Sequence, residues 1–371
     1  MSALEKIVKG QINAFISVLK FPAKIFHVNI DDYQRFIMRA VCEKVTKDSA
    51  YYWSYRIREK NTSNISNFDL NADYSQYGIV IQGPALEEDD FTYNTIRQYL
   101  RQYPGVNIIV SVWDDENNDW IQKVRNLNVE VVLNKKPQIS GKLNVNMQIV
   151  NTFSGIEKAK SLGVRYVLKT RSDQRIYQHN ALDFFKALVN EYKPINNDVT
   201  NPQKGRVITC AMNYGDMFAP FMTADFLYFG YVEDVYSLFN INLDNRNKGC
   251  WDSMVSRKKM SEDQLSPESY ILQGYALNLG FKVECDVKTS WQFIKNHLIS
   301  INKDMIGLYW PKYDQRLEEN RRNGYFNSNE VEGQYSTYNF DFIMWLCLLE
   351  NSFAYSPSFE ENANYVIKEH N

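Results

Sequence analysis

The chain has few of the residues that build metal centres and disulfide scaffolds. Its 371 residues include five cysteines and four histidines. The cysteines lie far apart and form no Cys-x-x-Cys pair, which is typical of reduced thiols in the cytosol. The scattered histidines disfavour a zinc cluster and a histidine-based catalytic triad.

Features of membrane-spanning, secreted and nucleic-acid-binding proteins are also missing. No uninterrupted apolar run is long enough to span a bilayer. The first segment is interrupted by Lys6, Lys9 and Gln11, so it does not have the form of a signal peptide. The net charge of -2 leaves no basic surplus for nucleic acid. We therefore expect a cytoplasmic protein with no nucleic-acid partner.

Two nucleotide-binding fingerprints do not occur. No Gly-x-Gly-x-x-Gly follows the first predicted strand, and there is no Gly-x-x-x-x-Gly-Lys-Ser/Thr. This argues against a nicotinamide-dinucleotide site and against a Walker-type NTPase.

Predicted strands and helices alternate from residue 78 onward. The predicted strands cover residues 78–84, 107–113, 129–133, 166–168, 207–212, 226–230 and 281–285. The predicted helices cover residues 92–103, 120–126, 142–162, 180–189, 232–239, 267–279, 291–299 and 340–349. This order predicts an α/β fold, with a mostly parallel sheet and helices on both faces. We expect an amino-terminal helical extension and linker over 1–76, a catalytic domain over 77–306, and a carboxyl-terminal helical tail over 307–371 that packs on it.

The amino-terminal extension begins with apolar residues at helical spacing between Ser2 and Lys20, surrounded by lysines. Such a helix either lies on an anionic membrane surface or packs on the protein's own core. Deletion of the residues before Phe21 should distinguish the two. A second helix is predicted with Asp31 or Asp32 as its N-cap.

The stretch from Tyr166 to Arg175 joins a buried strand to a cluster of charge. Side chains alternate along a strand, so Lys169, Arg171 and Asp173 should lie on one side at its carboxyl end. Open α/β sheets bind ligands at this edge. Two cations and a carboxylate there suit a polyanion. The alternative is a structural ion pair.

Polar residues follow the neighbouring strands as well. We expect a nucleotide to bind between Gln82 and Asp173, because Gly83 allows close backbone approach and Asp114 ends the next strand. Asn146 and Gln148 lie near the start of a helix, where anionic ligands bind. The polar loop over 194–205 is predicted to be a mobile lid over the cleft.

Two later carboxylates compete for the role of general base. Asp225 comes just before a strand, and Glu268 lies in the first turn of a helix that Ser266 caps. We favour Asp225, although a turn role for Asp225 and a dipole role for Glu268 are the structural alternatives. This order of elements suits a nucleotide-sugar transferase. A nucleotidyltransferase and a non-catalytic glycan-assembly partner are the other hypotheses.

Six segments resemble the WavE lipopolysaccharide-synthesis family of bacterial proteins, which are described as glycosyltransferases with the A-type fold. The segments are Ile79–Pro84, Ser111–Trp113, Asn146–Ile149, Leu168–Asp173, Ala224–Gly230 and Pro267–Glu268. The resemblance implies transfer of a sugar from a UDP- or CMP-linked donor to a glycan or lipid-linked glycan of lipopolysaccharide or capsule. We expect a cytoplasmic protein, with the predicted amino-terminal helix as the peripheral contact if it binds the inner face of the cytoplasmic membrane.

The chain departs from the A-type pattern at the metal-binding position. These transferases usually carry Asp-x-Asp to hold Mg²⁺ or Mn²⁺, whereas Ser172-Asp173-Gln174 supplies one acid. Either His297 or Glu268 adds a second ligand, or the cations Lys169, Arg171 and Arg175 replace part of the metal's role.

Overall fold

The computed structural model describes residues 10–11, 13, 29–49, 54–60, 71–211, 217–247, 249, 255–312, 340–352 and 366–367. The chain divides into two compact units, Met1–Glu59 and Lys60–Asn371. None of the helices in this described part combines the length and the apolar character needed to cross a bilayer.

The first unit contains helix α1, Ile30–Lys47. Its N-cap is Asn29, whose side chain accepts from the backbone N–H groups of Asp31 and Asp32. The predicted cap at Asp31 or Asp32 is therefore wrong by two or three positions, since both residues lie inside the helix. The other predicted helix, over Ser2–Lys20, falls almost entirely outside the described residues.

The second unit is built on a seven-stranded sheet in the order β3-β2-β1-β4-β7-β6-β9. Its strands are β1 Tyr77–Gln82, β2 Asn107–Trp113, β3 Glu130–Asn134, β4 Tyr166–Arg171, β6 Val207–Ala211, β7 Tyr228–Tyr231 and β9 Leu298–Asn302. Short strands form two ribbons, β5 Arg175–Ile176 with β10 Leu308–Tyr309, and β8 Val255–Ser256 with β11 Val366–Ile367. All pairs in the main sheet are parallel except those of β7, which runs antiparallel to both β4 and β6.

Nine helices of the second unit are described. They are α2 Phe91–Gln102, α3 Asn118–Arg125, α4 Val145–Ser161, α5 Ala181–Glu191, α6 Val232–Phe239, α7 Arg257–Glu262, α8 Pro267–Asn278, α9 Val287–His297 and α10 Phe342–Leu349.

Helices cover the sheet on both faces. On one face α4 lies so close that a Cβ at Gly155 would come within 2.5 Å of Val80. On the other face stacked rings of β1, β4 and β7 meet α5, where Phe185 lies 5.1 Å from Phe229. This mostly parallel sheet between two helical layers confirms the predicted α/β, A-type fold class.

The structure corrects the predicted edge strand. Residues 281–285 form no strand; the edge strand is β9, directly after α9, and it pairs in parallel with β6. The predicted helix over 291–299 begins earlier and ends at His297. Helix α7 lies where the sequence predicted neither a helix nor a strand.

The loop over 194–205 is anchored, which corrects its prediction as a mobile lid. The side chain of Gln203 is buried and donates to Tyr275. The backbone N–H of Thr200 donates to Leu279 at 3.0 Å. The loop leads into the amino end of β6, at the edge of the sheet opposite to the carboxyl ends of β1 and β4.

Candidate active site

The site is centred on the carboxyl end of β4. Lys169 pairs in register with Val80, whose side chain faces α4, so Lys169 points to the same face. It is fully buried, and its Nζ donates to the backbone carbonyl of Asp225 at 2.7 Å. Two residues further along, Arg171 forms a two-pronged ion pair with Asp173, with Nε–Oδ1 2.9 Å and Nη2–Oδ2 3.2 Å.

Asp225 reaches this edge because β7 runs in the reverse direction. A residue that precedes a parallel strand lies at the amino edge of a sheet. Since β7 is antiparallel to β4, its amino end meets the carboxyl end of β4. Gln148, in the first turns of α4, also donates to the Asp225 carbonyl, at 2.8 Å. Two side chains from different elements therefore fix the backbone of Asp225.

Glu268 approaches the same position from α8. Ser266 caps this helix by accepting from the backbone N–H of Ser269 at 3.2 Å, as the sequence predicts. Glu268 is buried. Its pKa is raised to about 8, mainly by this burial and to a smaller extent by the nearby charge of Asp225. At neutral pH the Glu268 carboxyl is therefore protonated.

Lys169 is shifted in the opposite sense. Its pKa is lowered to about 7, mainly by burial; the charge of Asp225 opposes this shift, the charge of Arg171 adds to it, and the charge of Asp173 opposes it. A bound anion would favour the charged form and raise this pKa. The amine is thus placed to gain a proton when an anionic ligand arrives.

Asp173 is held as a carboxylate. Burial alone would raise its pKa, but the charge and hydrogen bonds of Arg171 and the indole N–H of Trp310 together lower the pKa below its ordinary value. Trp310 Nε1 donates to Asp173 Oδ2 at 2.9 Å. Trp310 was not among the predicted site residues, because a single tryptophan after a two-residue strand carries no periodic signal.

The ends of the neighbouring strands line the same edge. Gln82 is buried at the end of β1. Gly83 has φ of 104°, and a Cβ there would lie 3.3 Å from the hydroxyl of Ser172. Asp114, directly after β2, is exposed, and its backbone N–H donates to Asn134 at 2.9 Å. The structure thus brings Gln82, Gly83 and Asp114 to the edge that carries Asp173.

Two predicted ligand-binding residues are committed to the fold instead. The carboxamide of Asn146 donates to the carbonyls of Ile139 and Asp244 and accepts from the backbone N–H of Asp244. Arg175 is buried; it donates to the Phe91 carbonyl at 2.9 Å and to Thr95 at 2.9 Å. These contacts correct both assignments, because each side chain braces a loop or helix rather than facing the edge.

His297 lies at the wrong edge to join Asp173. It ends α9 just before the amino end of β9, three strands away from β4, roughly 14 Å across the sheet at about 4.8 Å per strand. Its Nε2 contacts Asp198 Oδ1 at 2.9 Å and its Nδ1 contacts Gln203 Oε1 at 2.6 Å. This corrects the prediction that His297 supplies a second metal ligand.

The residues around Asp173 do not fit a Mg²⁺ or Mn²⁺ site of the Asp-x-Asp kind. Both oxygens of Asp173 already accept from Arg171 or Trp310. Within the described ranges, no group of three or more His, Cys, Asp or Glu side chains is placed to hold a metal ion. The adjacent charges are cations, which suit a phosphate directly.

The fold and this edge define an α/β protein with a cationic, carboxylate-flanked site. Residues 77–370 match the family described as WavE lipopolysaccharide synthesis. The chain belongs to that family, as the six segments of the sequence indicated.

Other comparisons show only distant likeness. The search of curated proteins gave no match. Among solved structures, a cytidylyltransferase from Leptospira borgpetersenii is 11% identical with a TM-score of 0.33, over 79% of this chain and 99% of that one. A mannosyltransferase from Pyrobaculum calidifontis, in complex with GDP-Man and Mn²⁺, is 12% identical with a TM-score of 0.29, over 52% of this chain and 54% of that one. Likenesses this distant do not bear on substrate or reaction.

Proposed function

We propose that this chain is a glycosyltransferase that moves a sugar from a nucleotide-sugar donor to a growing bacterial surface glycan. The observation that carries the proposal is the convergence of Lys169, Arg171 and Asp173 with Asp225 and Glu268 at one edge of the sheet. Membership of the WavE family supports lipopolysaccharide as the glycan, with capsule as the alternative acceptor.

The cations form the leaving-group side of the site. Arg171 offers a planar guanidinium that Asp173 holds in a fixed orientation. Lys169 becomes protonated when the donor phosphate binds, since its pKa is about 7 in the buried site. As the bond between the anomeric carbon and the phosphate oxygen breaks, both cations stabilise the charge that develops on the departing phosphate.

Asp225 serves as the general base. Glu268 carries its proton up to a pH of about 8, so it cannot accept another at neutral pH. Asp225 takes the proton of the acceptor hydroxyl while that oxygen attacks the anomeric carbon. Lys169 and Gln148 fix the Asp225 backbone at 2.7 and 2.8 Å, which holds the base in place.

The loop after β1 favours this reaction over nucleotidyl transfer. A nucleotidyltransferase would need a basic loop there for a triphosphate. Residues Glu87–Asp90 are instead four consecutive exposed acids, of which Asp89 and Asp90 pair with Lys60 and Lys123. The negative loop repels phosphate, whereas ribose hydroxyls and a base can donate to it. The donor phosphate therefore belongs on the β4 side.

Reduced thiols support a cytoplasmic location. Cys42, Cys210, Cys285 and Cys347 are free cysteines. We place the reaction at the inner face of the cytoplasmic membrane, where a lipid-linked acceptor is available and where the helix predicted over Ser2–Lys20 would make a peripheral contact.

A thermal-shift series with UDP, CDP, CMP, GDP and ADP tests the proposal. A nucleotide at about 100 times its Kd stabilises the native state by about 2.7 kcal/mol. We expect one nucleotide to raise the Tm, and the corresponding nucleotide sugar to be consumed in a transfer assay. The shift should diminish in Arg171→Gln and persist in Lys204→Gln, which loses the same charge from an exposed ion pair at the opposite edge.

Three results would count against the proposal. Equal nucleotide binding by Arg171→Gln and the native chain would show that the phosphate does not bind at the end of β4. Binding without transfer to any glycan acceptor would favour the non-catalytic partner, and consumption of a nucleoside triphosphate would favour the nucleotidyltransferase.

A further inference from the structure

Trp310 reaches the site through the β5–β10 ribbon. After β9, a 3-10 turn over Lys303–Ile306 leads to β10, which pairs antiparallel with β5. Tyr309 lies opposite Arg175 in this ribbon. The next residue, Trp310, is therefore placed beside the residues that precede β5. A late segment of the chain thus crosses back to the end of β4.

The indole of Trp310 contacts both members of the ion pair. Its Nε1 donates to Asp173 Oδ2 at 2.9 Å. The guanidinium carbon of Arg171 lies 5.0 Å from the centre of the Trp310 ring, within the range of a cation–π contact. The edge of the indole therefore restrains the Asp173 carboxylate, and the face of the same ring restrains the Arg171 guanidinium.

Trp310 also contacts the loop that carries the proposed base. The ring of Phe226, which is buried and directly follows Asp225, lies 5.2 Å from the Trp310 ring. The indole is thus placed between Arg171 on the leaving-group side and Phe226 on the base side.

We infer that Trp310 is a positioning residue for sugar transfer. It orients the Arg171–Asp173 pair toward the departing phosphate and holds this pair in a fixed position relative to the loop of Asp225. This inference rests on the proposed function, and it adds a residue that lies beyond the predicted catalytic domain over 77–306. Trp310 itself takes no proton and forms no bond to the substrate.

The orientation depends on two separable properties of the indole. The ring contacts both Arg171 and Phe226, and the N–H donates to Asp173 Oδ2. Trp310→Phe retains an aromatic ring, smaller than indole, and removes the donor. Loss of a hydrogen bond to a charged group should lower turnover roughly tenfold to hundredfold. The acid limb of the pH–rate profile should move to higher pH, because the N–H helps to keep Asp173 ionised.

A matched control is available in Trp345→Phe. Trp345 also donates its indole N–H, to the Leu298 carbonyl at 2.9 Å, and it is fully buried at the amino end of β9. We expect Trp345→Phe to lower the Tm without moving the pH–rate profile. A profile that moves equally in both variants would show a general packing effect and overturn the role of Trp310.

A second measurement needs no turnover. The chain has seven tryptophans, so ¹⁵N-tryptophan labelling gives seven indole N–H signals, and the one absent from Trp310→Phe identifies Trp310. We expect this signal in the native chain to titrate with Asp173 and to lose that titration in Asp173→Asn. A Trp310 signal that is indifferent to Asp173→Asn would overturn the inference.

Failure of the proposed function would have a different signature. A native chain that transfers no sugar from any nucleotide donor would overturn the proposed function, and with it a role in transfer for Trp310. An active native chain with an equally active Trp310→Phe variant would overturn the role of Trp310 alone.

Discussion

At the residue scale, the buried amine of Lys169 has a pKa far below its ordinary value. The folded chain releases its proton near pH 7, whereas the unfolded chain holds it to 10.5. The unfolded state therefore binds more protons between these values, and stability rises with pH across that window. An apolar side chain would fill the same space without burying a charge. The buried amine of Lys169 is therefore better explained by a role in the site than by a role in the fold.

Lys169→Met should therefore separate stability from activity. We expect the free energy of unfolding to rise by about 1 kcal/mol or more below pH 7, with a gain that shrinks toward pH 10. Transfer should fall at least about a hundredfold, because a preorganised charge is lost. Chemical denaturation across pH 6 to 10, together with a transfer assay, checks both. A variant that loses stability below pH 7 would show that the amine contributes to the fold.

Asp173→Asn tests the ion pair between Arg171 and Asp173. Asparagine keeps the size of the side chain but cannot hold Arg171 by charge. Turnover should fall about a hundredfold, near 3 kcal/mol in activation free energy. The Tm should change little, since the pair is partly exposed, 32% for Arg171 and 21% for Asp173. Normal turnover, or global unfolding, would mean that the pair is structural.

At the scale of elements, α8 carries an acid whose burial opposes folding at alkaline pH. Folded Glu268 keeps its proton to about pH 8, whereas the unfolded chain releases it at 4.5. Stability should therefore fall as pH rises from 4.5 to 8. Glu268→Gln should reduce this slope and increase stability at pH 8, which pH-dependent denaturation measures.

Asp234 provides the control for that experiment. It lies in α6 at the opposite edge, and burial raises its pKa to about 7. Asp234→Asn should also reduce the slope while sugar transfer continues. A slope that Glu268→Gln leaves unchanged would contradict a protonated Glu268.

The contact of α4 with the sheet can be tested by one methyl group. A Cβ at Gly155 would lie 2.5 Å from Val80 Cγ1 and 3.2 Å from Ser111 Cβ. We expect Gly155→Ala to destabilise the protein by about 1–3 kcal/mol, despite the better helix propensity of alanine. Ser154→Ala, the preceding residue, is the control. Equal stability of the two variants would mean that α4 can shift away from the sheet.

At the scale of the whole molecule, the sequence predicted what is local and missed what depends on partners. The apolar runs of β1 and β2 and the cap of α8 are local signals, and all appear where expected. The alternation over 281–285 resembles a strand, but strand formation requires a neighbour, and β6 pairs with β9 instead. Direction is also non-local: nothing in residues 228–231 shows that β7 runs backwards.

The candidate site follows the same division. Lys169, Arg171 and Asp173 could be grouped because they share one strand end. Asn146 and His297 have suitable polar groups, but their partners, Asp244 for one and Asp198 with Gln203 for the other, are distant in sequence. Trp310 is separated from Asp173 by 137 positions, so only the folded chain shows their contact.

The two compact units suggest a test of the amino-terminal segment. All of the site residues lie in the unit Lys60–Asn371. If the helix predicted over Ser2–Lys20 binds an anionic membrane, deletion of the residues before Phe21 should release the protein from anionic liposomes in a flotation assay. The Tm and sugar transfer should stay unchanged. Collapse of the melting transition would show that this segment belongs to the core.

The β5–β10 ribbon also sets when the site can form during synthesis. Trp310 follows Asp173 by 137 residues, which the ribosome takes about 7 to 27 s to translate at its usual rate. A nascent chain therefore carries Arg171 and Asp173 well before the residue that orients them exists. The site as proposed is therefore complete only after residue 310 of the 371 residues has been synthesised.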